Sequence, residues 1–191
     1  ALERALVLAG ESRRNVADQP DWLNRLVTTA LGAAGGVAGL PGALAEVPVT
    51  VTLLLRNIQG IAADHGFDPD APDTRADCVS VFAAAGPLAR DDGMNTGFLA
   101  ARATITGPAL RALVARVAPR LATVIGQKLG AQTVPVLGAV GGAVVNYAFT
   151  AYYQEVARVH FGLRRLADTG RMDPDALAEA LRARLERRPR A

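Results

Sequence analysis

Hydrophobic positions along this chain recur with helical spacing, and the strict alternation of a half-buried strand is nearly absent. Pro20, following Asp18, predicts the start of a helix that carries Trp22, Leu23, Leu26 and Val27 toward a Gly/Ala stretch. The tetrapeptide Gly39-Leu40-Pro41-Gly42 predicts its break. A second helix follows, with Glu46 near its N-terminus and Pro48 in its first turn. Its apolar residues Val47, Val51, Leu54, Leu55, Ile58 and Ile61 share one face. On the opposite face Val49, Thr52, Leu53, Gly60 and Ala63 surround Arg56, so this arginine is expected to face something specific.

The polar run from Asp64 to Asp77 leads to a helix predicted from about Pro72 or Asp73 to about Ala85. Turn signals and a short helical pattern around Phe98 to Ala103 alternate from Gly86 to Gly107. A helix is predicted from Pro108 to Gly130, bent or broken at Pro119, and Pro135 with Gly138 marks another break. The best-defined helix then carries an apolar seam, Val145, Phe149, Tyr152, Val156, Val159, Leu163 and Leu166. Beside it, turned by about 100°, runs a polar stripe of Asn146, Thr150, Tyr153, Ala157, His160 and Arg164. Thr169-Gly170 ends this helix, and Asp173-Pro174 opens a charged helix over 173–188.

Two segments carry no charge, Leu26 to Ala45 and Leu129 to Gln154, and they contain the related hexapeptides LGAAGG (31–36) and LGAVGG (137–142). Ala and Gly dominate both and proline interrupts both, so few large aliphatic side chains are left to drive insertion across a bilayer. A soluble or peripheral protein fits better than an integral one, because such runs also form buried helices. The spacings Gly32/Gly36, Gly35/Gly39 and Gly138/Gly142 predict close approach of helix backbones. The expected product is an all-α fold: one domain over residues 1–191, with six to eight helices built around two Gly/Ala-rich hairpin-like units.

Composition removes several classes. The single Cys78 rules out an internal disulfide framework, and 191 residues can bury a core without one. Aromatic residues are 5% and no basic cluster interleaves with them, which argues against nucleic acid. The Arg-rich tail, Arg182, Arg184, Arg187, Arg188 and Arg190, reads as a solvated helix end or a contact for anionic surfaces. The chain begins at Ala1 rather than Met, as expected where an upstream segment has been removed; no signal peptide is visible. No GxSxG, Walker loop or GxGxxG is present, so no cofactor is expected. Asp64, His65, Asp68, Asp70 and Asp73 fit neither HExxH nor EF-hand spacing, and capping and turn roles are expected instead of a metal. Cys78 reads as a small buried hydrophobe, and His160 as a packed or surface histidine.

The run GGVAGLPGALAEVPVTVTLLLRNIQGIAADHGFDPDAP resembles the signature of the EcsC family at Gly39, Leu40, Pro41, Glu46, Pro48, Val49, Thr50, Leu55, Arg56 and Ile58. The second half, QKLGAQTVPVLGAVGGAVVNYAFTAYYQEVARVHFGLRRL, is similar to the family at Lys128, Pro135, Gly138, Asn146, Tyr147, Phe149, Thr150, Phe161, Arg164 and Arg165. The resemblance spans about residues 25–168; Val47 and Asn57 depart from the expected Leu and Ser, and Gly86 to Gly107 has no counterpart. It implies a bacterial helical protein, cytoplasmic or peripheral at the inner face of the membrane, and supplies no agreed reaction or catalytic residues.

Glu46, Arg56, Lys128 and Asn146 are polar residues set in apolar segments, and an ionised group there must be paired or must bind something polar. Two readings stand open. Glu46 pairs with Arg56 or Lys128 and staples the Gly/Ala units together, or Arg56 and Lys128, the sole lysine, hold the anionic head of an amphipathic ligand. Thr50 and Tyr153 complete the candidate ligand-binding set. The leading expectation is a lipid-binding module holding an acyl chain, isoprenoid or phospholipid between the two Gly/Ala units. The alternative is an assembly protein docked on a membrane or a transporter, or paired as a homodimer through the apolar seam. A hydrolase acting through Glu46 or His65 ranks third, since nucleophile, base and orienting group cannot all be assigned.

Overall fold

The computed structural model describes residues 2–83 and 135–186, and within them every regular element is an α-helix. Six helices follow in order: α1 (Leu2–Asn15), α2 (Asp21–Val37), α3 (Gly39–Asp64), α4 (Pro72–Phe82), α5 (Pro135–Gly170) and α6 (Pro174–Glu186). The Gly86 to Gly107 stretch and the helix expected over Pro108 to Gly130 lie outside the described residues.

Helix α3 is the central element. Leu54, Leu55, Ile58 and Ile61 are buried on it, and they meet Leu2, Leu6 and Ala9 of α1, Val79 and Phe82 of α4, and Phe149 and Phe161 of α5. Each such side chain contributes about 1.5 to 3 kcal/mol through burial. Helix α1, which the pattern reading left unassigned, is held by Leu2, Ala5, Leu6 and Ala9 on one face.

Helix boundaries follow local chemistry. Pro20 caps α2 in extended geometry, and Pro72 opens α4. Gly66 (φ +86°) ends α3: the Phe67 N–H reaches back to Ala62 and the Gly66 N–H to Ala63, closing the last turn. The Gly39-to-Gly42 break is tighter than the sequence predicts. Only Ala38 separates α2 from α3, because Gly39 turns the chain at φ +65°, and Pro41 and Gly42 already lie inside α3. Pro48 is therefore in the helix interior and not in a first turn. The carbonyl it leaves without a helical donor belongs to Leu44, an exposed residue. Pro135 likewise starts α5, and Gly138 lies within it, so no break follows.

Helix α5 corrects the expected seam. The polar stripe is the buried face: Asn146, Thr150, Tyr153 and Ala157 are at most 2% exposed, whereas Val159 and Leu166 of the apolar seam are 38% and 57% exposed. Only Phe149 of that seam is fully buried, with Val145, Tyr152 and Val156 packed at the core's edge. The polar groups face inward because α2 and α3 supply their partners.

Candidate functional site

Helices α2 and α5 run antiparallel and meet along four-residue ridges. At Gly36 a methyl group would overlap the Gly138 carbonyl, and at Gly32 it would overlap that of Gly142. The matching Gly-xxx-Gly spacings of the two hexapeptides are thus a backbone-to-backbone crossing. One turn further along, the interface becomes polar. The Thr28 and Thr150 hydroxyls share a hydrogen bond of 2.8 Å, the Thr150 hydroxyl also donates to the Asn146 carbonyl, and Arg25 Nε donates to Gln154 Oε1 at 2.6 Å.

Glu46 enters this crossing from α3. Its Oε1 accepts from the Asn146 side-chain amide at 2.6 Å and from the Thr50 hydroxyl one turn along α3. The second N–H of the Asn146 amide goes to the Thr28 carbonyl at 2.8 Å, so both amide protons are used. Two glycines make room for these side chains. A Cβ at Gly32 would lie 2.7 Å from the Asn146 amide nitrogen, and one at Gly35 would lie 2.9 Å from Glu46 Oε2. LGAAGG therefore brings in the partner backbone with Gly32 and Gly36, and the polar side chains with Gly32 and Gly35. Glu46, Thr50, Asn146, Thr28 and Thr150 are all buried, and charge-assisted bonds to the carboxylate are what make its burial tolerable.

Three of the six expected site residues come together here, Glu46, Thr50 and Asn146. Arg56 does not. Ten residues from Glu46 on one helix, or about 15 Å of rise, it points to the end of α1. Nη1 donates to Ser12 Oγ at 2.7 Å, Nη2 donates to the Val16 and Ala17 carbonyls at 2.9 and 3.0 Å, and Asp18 lies 3.6 Å away. The expected Glu46–Arg56 pair is replaced by a clamp on the carbonyls that follow α1, where a cation is favoured. Tyr153 is also elsewhere, in an aromatic group with Phe82, Phe149 and Tyr152. Burial, with Tyr152 beside it, pushes its hydroxyl pKa well up. Lys128 lies outside the described residues. Thr28 was missed; its signal was the Thr28-Gly32-Gly36 ridge in register with Gly138-Gly142-Asn146-Thr150.

The other end of the helix bundle is ionic. Arg164 pairs with Asp73 and Asp77 and lies 4.3 Å above the Phe67 ring; His160 Nε2 is 3.3 Å from Asp77. Burial would raise the Asp73 pKa, but hydrogen bonds from Arg164 and the Thr74 N–H and the Arg164 charge bring it below the ordinary 3.8. Burial, with Asp77 beside it, raises the Cys78 thiol far from the reactive range. The aspartates take turn and pairing roles: Asp68 accepts from the Asp70 N–H, and Asp70 pairs with Arg14 and Arg75. Among the described residues no three His, Cys, Asp or Glu side chains are placed to hold a metal ion.

At the Glu46 cluster the carboxylate accepts from an amide on α5 and a hydroxyl on α3, and so ties these two helices together. Comparison with curated proteins and with solved structures gives no match. The sequence profile of the EcsC protein family matches residues 11–166, which takes in most of the chain from the second half of α1 to near the end of α5. The chain belongs to the EcsC family.

Proposed function

We propose that this chain docks onto a lipid surface through its uncharged end, with the Glu46–Asn146 network holding the helices behind that surface rigid. One observation carries the reading. Where α2 ends and α5 begins, Val37, Leu44, Val140, Val144 and Tyr147 are each 50–64% exposed, on segments that contain no charged residue. Exposed apolar side chains on segments without a charge mark an interaction surface, and a tyrosine among them suits the boundary between hydrocarbon and water.

No helix among the described residues is long and apolar enough to cross a membrane, so the apolar end is read as lying on a bilayer and not through it. The α2–α5 crossing favours an outer contact over an inner one. Glycine backbones touch there, which leaves no space for an acyl chain between those two helices.

Flotation of the full chain with phosphatidylglycerol/phosphatidylcholine vesicles tests the proposal. Co-flotation is expected. Val140→Asp with Val144→Asp should abolish it while the helical circular dichroism stays unchanged. A wild-type chain that remains in the aqueous fraction at every lipid concentration overturns the reading. A stoichiometric lipid extracted from detergent-free protein would replace it with an enclosed ligand.

A further inference from the structure

Helix α2 is built inside out. A helix at the surface of a globular protein usually turns its apolar residues inward and its polar residues to water. Helix α2 buries Thr28, Gly32, Gly35 and Gly36, and the residues it exposes are Trp22, Leu26, Val27, Ala30, Ala34 and Val37, every one apolar. These recur with helical spacing over nearly the whole helix, about 22 Å of rise from Trp22 to Val37. Trp22, Leu26 and Val37 are 65%, 57% and 62% exposed.

The polar side chains of α2 are all engaged within the protein. Asp21 pairs with Arg158 and Arg25 bonds Gln154, both on α5. Thr28 meets Thr150, the Asn24 amide donates to the Gln19 carbonyl, and the Thr29 hydroxyl donates to the Arg25 carbonyl. On the exposed residues the one side-chain group able to hydrogen-bond is the Trp22 indole N–H.

Hydrogen-bonding capacity decides what covers this face. A protein partner forms roughly one hydrogen bond per 100–200 Å² of interface, and the side chains here offer a single donor, at one end. Acyl chains ask for none and penalise any polar group brought among them without a partner. An indole at the edge of such a face suits the boundary between hydrocarbon and headgroups. The face is also continuous with the surface proposed above, because Gly36, next to Val37, meets Gly138 of α5, two residues before Val140.

We infer that α2 is the element that enters the lipid surface, lying in the plane of the bilayer with its outer face immersed from Val37 to Trp22. This rests on the lipid-docking reading and changes its pose: the chain lies along α2 and does not stand on its uncharged end. No described helix is long and apolar enough to cross a bilayer, so α2 stays at the boundary. Trp22 separates the two poses, since it begins the helix and Val37 ends it.

The test combines flotation with the emission of Trp22, the single tryptophan, using phosphatidylglycerol/phosphatidylcholine vesicles with and without brominated acyl chains. Emission should shift to the blue on binding, and brominated chains should quench it. Leu26→Glu should lower vesicle partition about tenfold, with the helical circular dichroism unchanged. Ala30→Glu should do the same without removing a large apolar side chain. Flotation with Trp22 emission unshifted and unquenched would mean that the chain stands on its uncharged end, which overturns this inference and leaves the lipid reading in place. Failure to float on any vesicle overturns both. A blue shift that depends on protein concentration and needs no vesicles would assign the face to a second copy and overturn the inference.

Discussion

Where Gly36 meets Gly138, helices α2 and α5 touch backbone to backbone and carry no charge, whereas toward the far end of the same pair Arg25 with Gln154 and Glu155, and Asp21 with Arg158, close it with polar and ionic groups. The contrast extends to neighbouring helices. Beyond the charged end of that pair lie Arg13–Asp18, Arg14–Asp70 and the Arg164 pairs with Asp73 and Asp77, while the uncharged end exposes valines and a tyrosine. One end depends on shape, which salt and pH leave alone; the other depends on exposed and half-buried charges, which both affect. The Glu46 cluster sits between them and couples α3 to the pair.

The largest effect should come from adding one methyl group at the glycine crossing. Gly36→Ala places a Cβ inside the Gly138 carbonyl, where only backbone can give way, and should cost about 3 kcal/mol in urea unfolding. The same change at Gly10, beside the ionic end, has its nearest neighbours at 3.6 and 3.9 Å. There the helix gains, and stability should rise by about 0.5 to 1 kcal/mol. Equal effects at the two positions would remove the distinction between the ends.

Next comes the cluster between them. Asn146→Ala strips Glu46 Oε1 and the Thr28 carbonyl of a donor and should lower stability by about 2 to 3 kcal/mol. Asn146→Asp should be at least as harmful, because it sets a second carboxylate against Glu46. An unchanged urea midpoint in either variant would show that the network holds nothing.

The sequence disclosed these two ends unequally. Two uncharged runs and their Gly-xxx-Gly spacings foretold close backbone contact, and the start of α2, the end of α5 and the opening of α6 follow directly from Pro20, Gly170 and Pro174. Periodicity could not say which face of α5 is buried. It ranks Val159 and Leu166 above Asn146 and Thr150, and only the partners on α2 and α3 reverse that order. Arg56 read correctly as facing something specific, but its partners are carbonyls, which every residue carries and no side-chain pattern marks. The turn at Gly39 hinges on a single positive φ, so Pro41, Gly42 and Pro48 looked like a break and a first turn when they belong to one continuous helix.

At the ionic end, Arg164→Ala removes the ion pairs with Asp73, Asp77 and Asp168 and the contact with the Phe67 ring, and should cost about 1 to 2 kcal/mol. Raising sodium chloride to about 1 M, where the Debye length falls to about 3 Å, should narrow the gap between this variant and wild type. The Gly36→Ala gap should stay as it is under the same salt. A salt-insensitive Arg164 penalty would mean that Phe67 packing, and not charge, holds this end.

The smallest effect, and the sharpest separation of the two ends, should come from acid. Asp73 is held below its ordinary value, mainly by Arg164 and the Thr74 N–H against the opposing effect of burial. A carboxyl depressed in the folded state binds protons more readily when unfolded. Its contribution is therefore fully present above the ordinary aspartate value of 3.8 and is lost as pH falls through the lower folded value. Asp73 is half exposed, so Asp73→Asn should cost less than about 1 kcal/mol near neutrality. Urea midpoints of this variant and wild type should differ by a constant amount from pH 7 to about pH 5 and converge as pH falls toward and below 3.8. The Gly36→Ala penalty should persist through the same range, because the groups that meet at that crossing are backbone carbonyls and glycine hydrogens, none of which titrates. If the Asp73 gap survived at low pH, the pairing with Arg164 would be a matter of packing, and the ionic end would differ from the glycine end only in the atoms it uses.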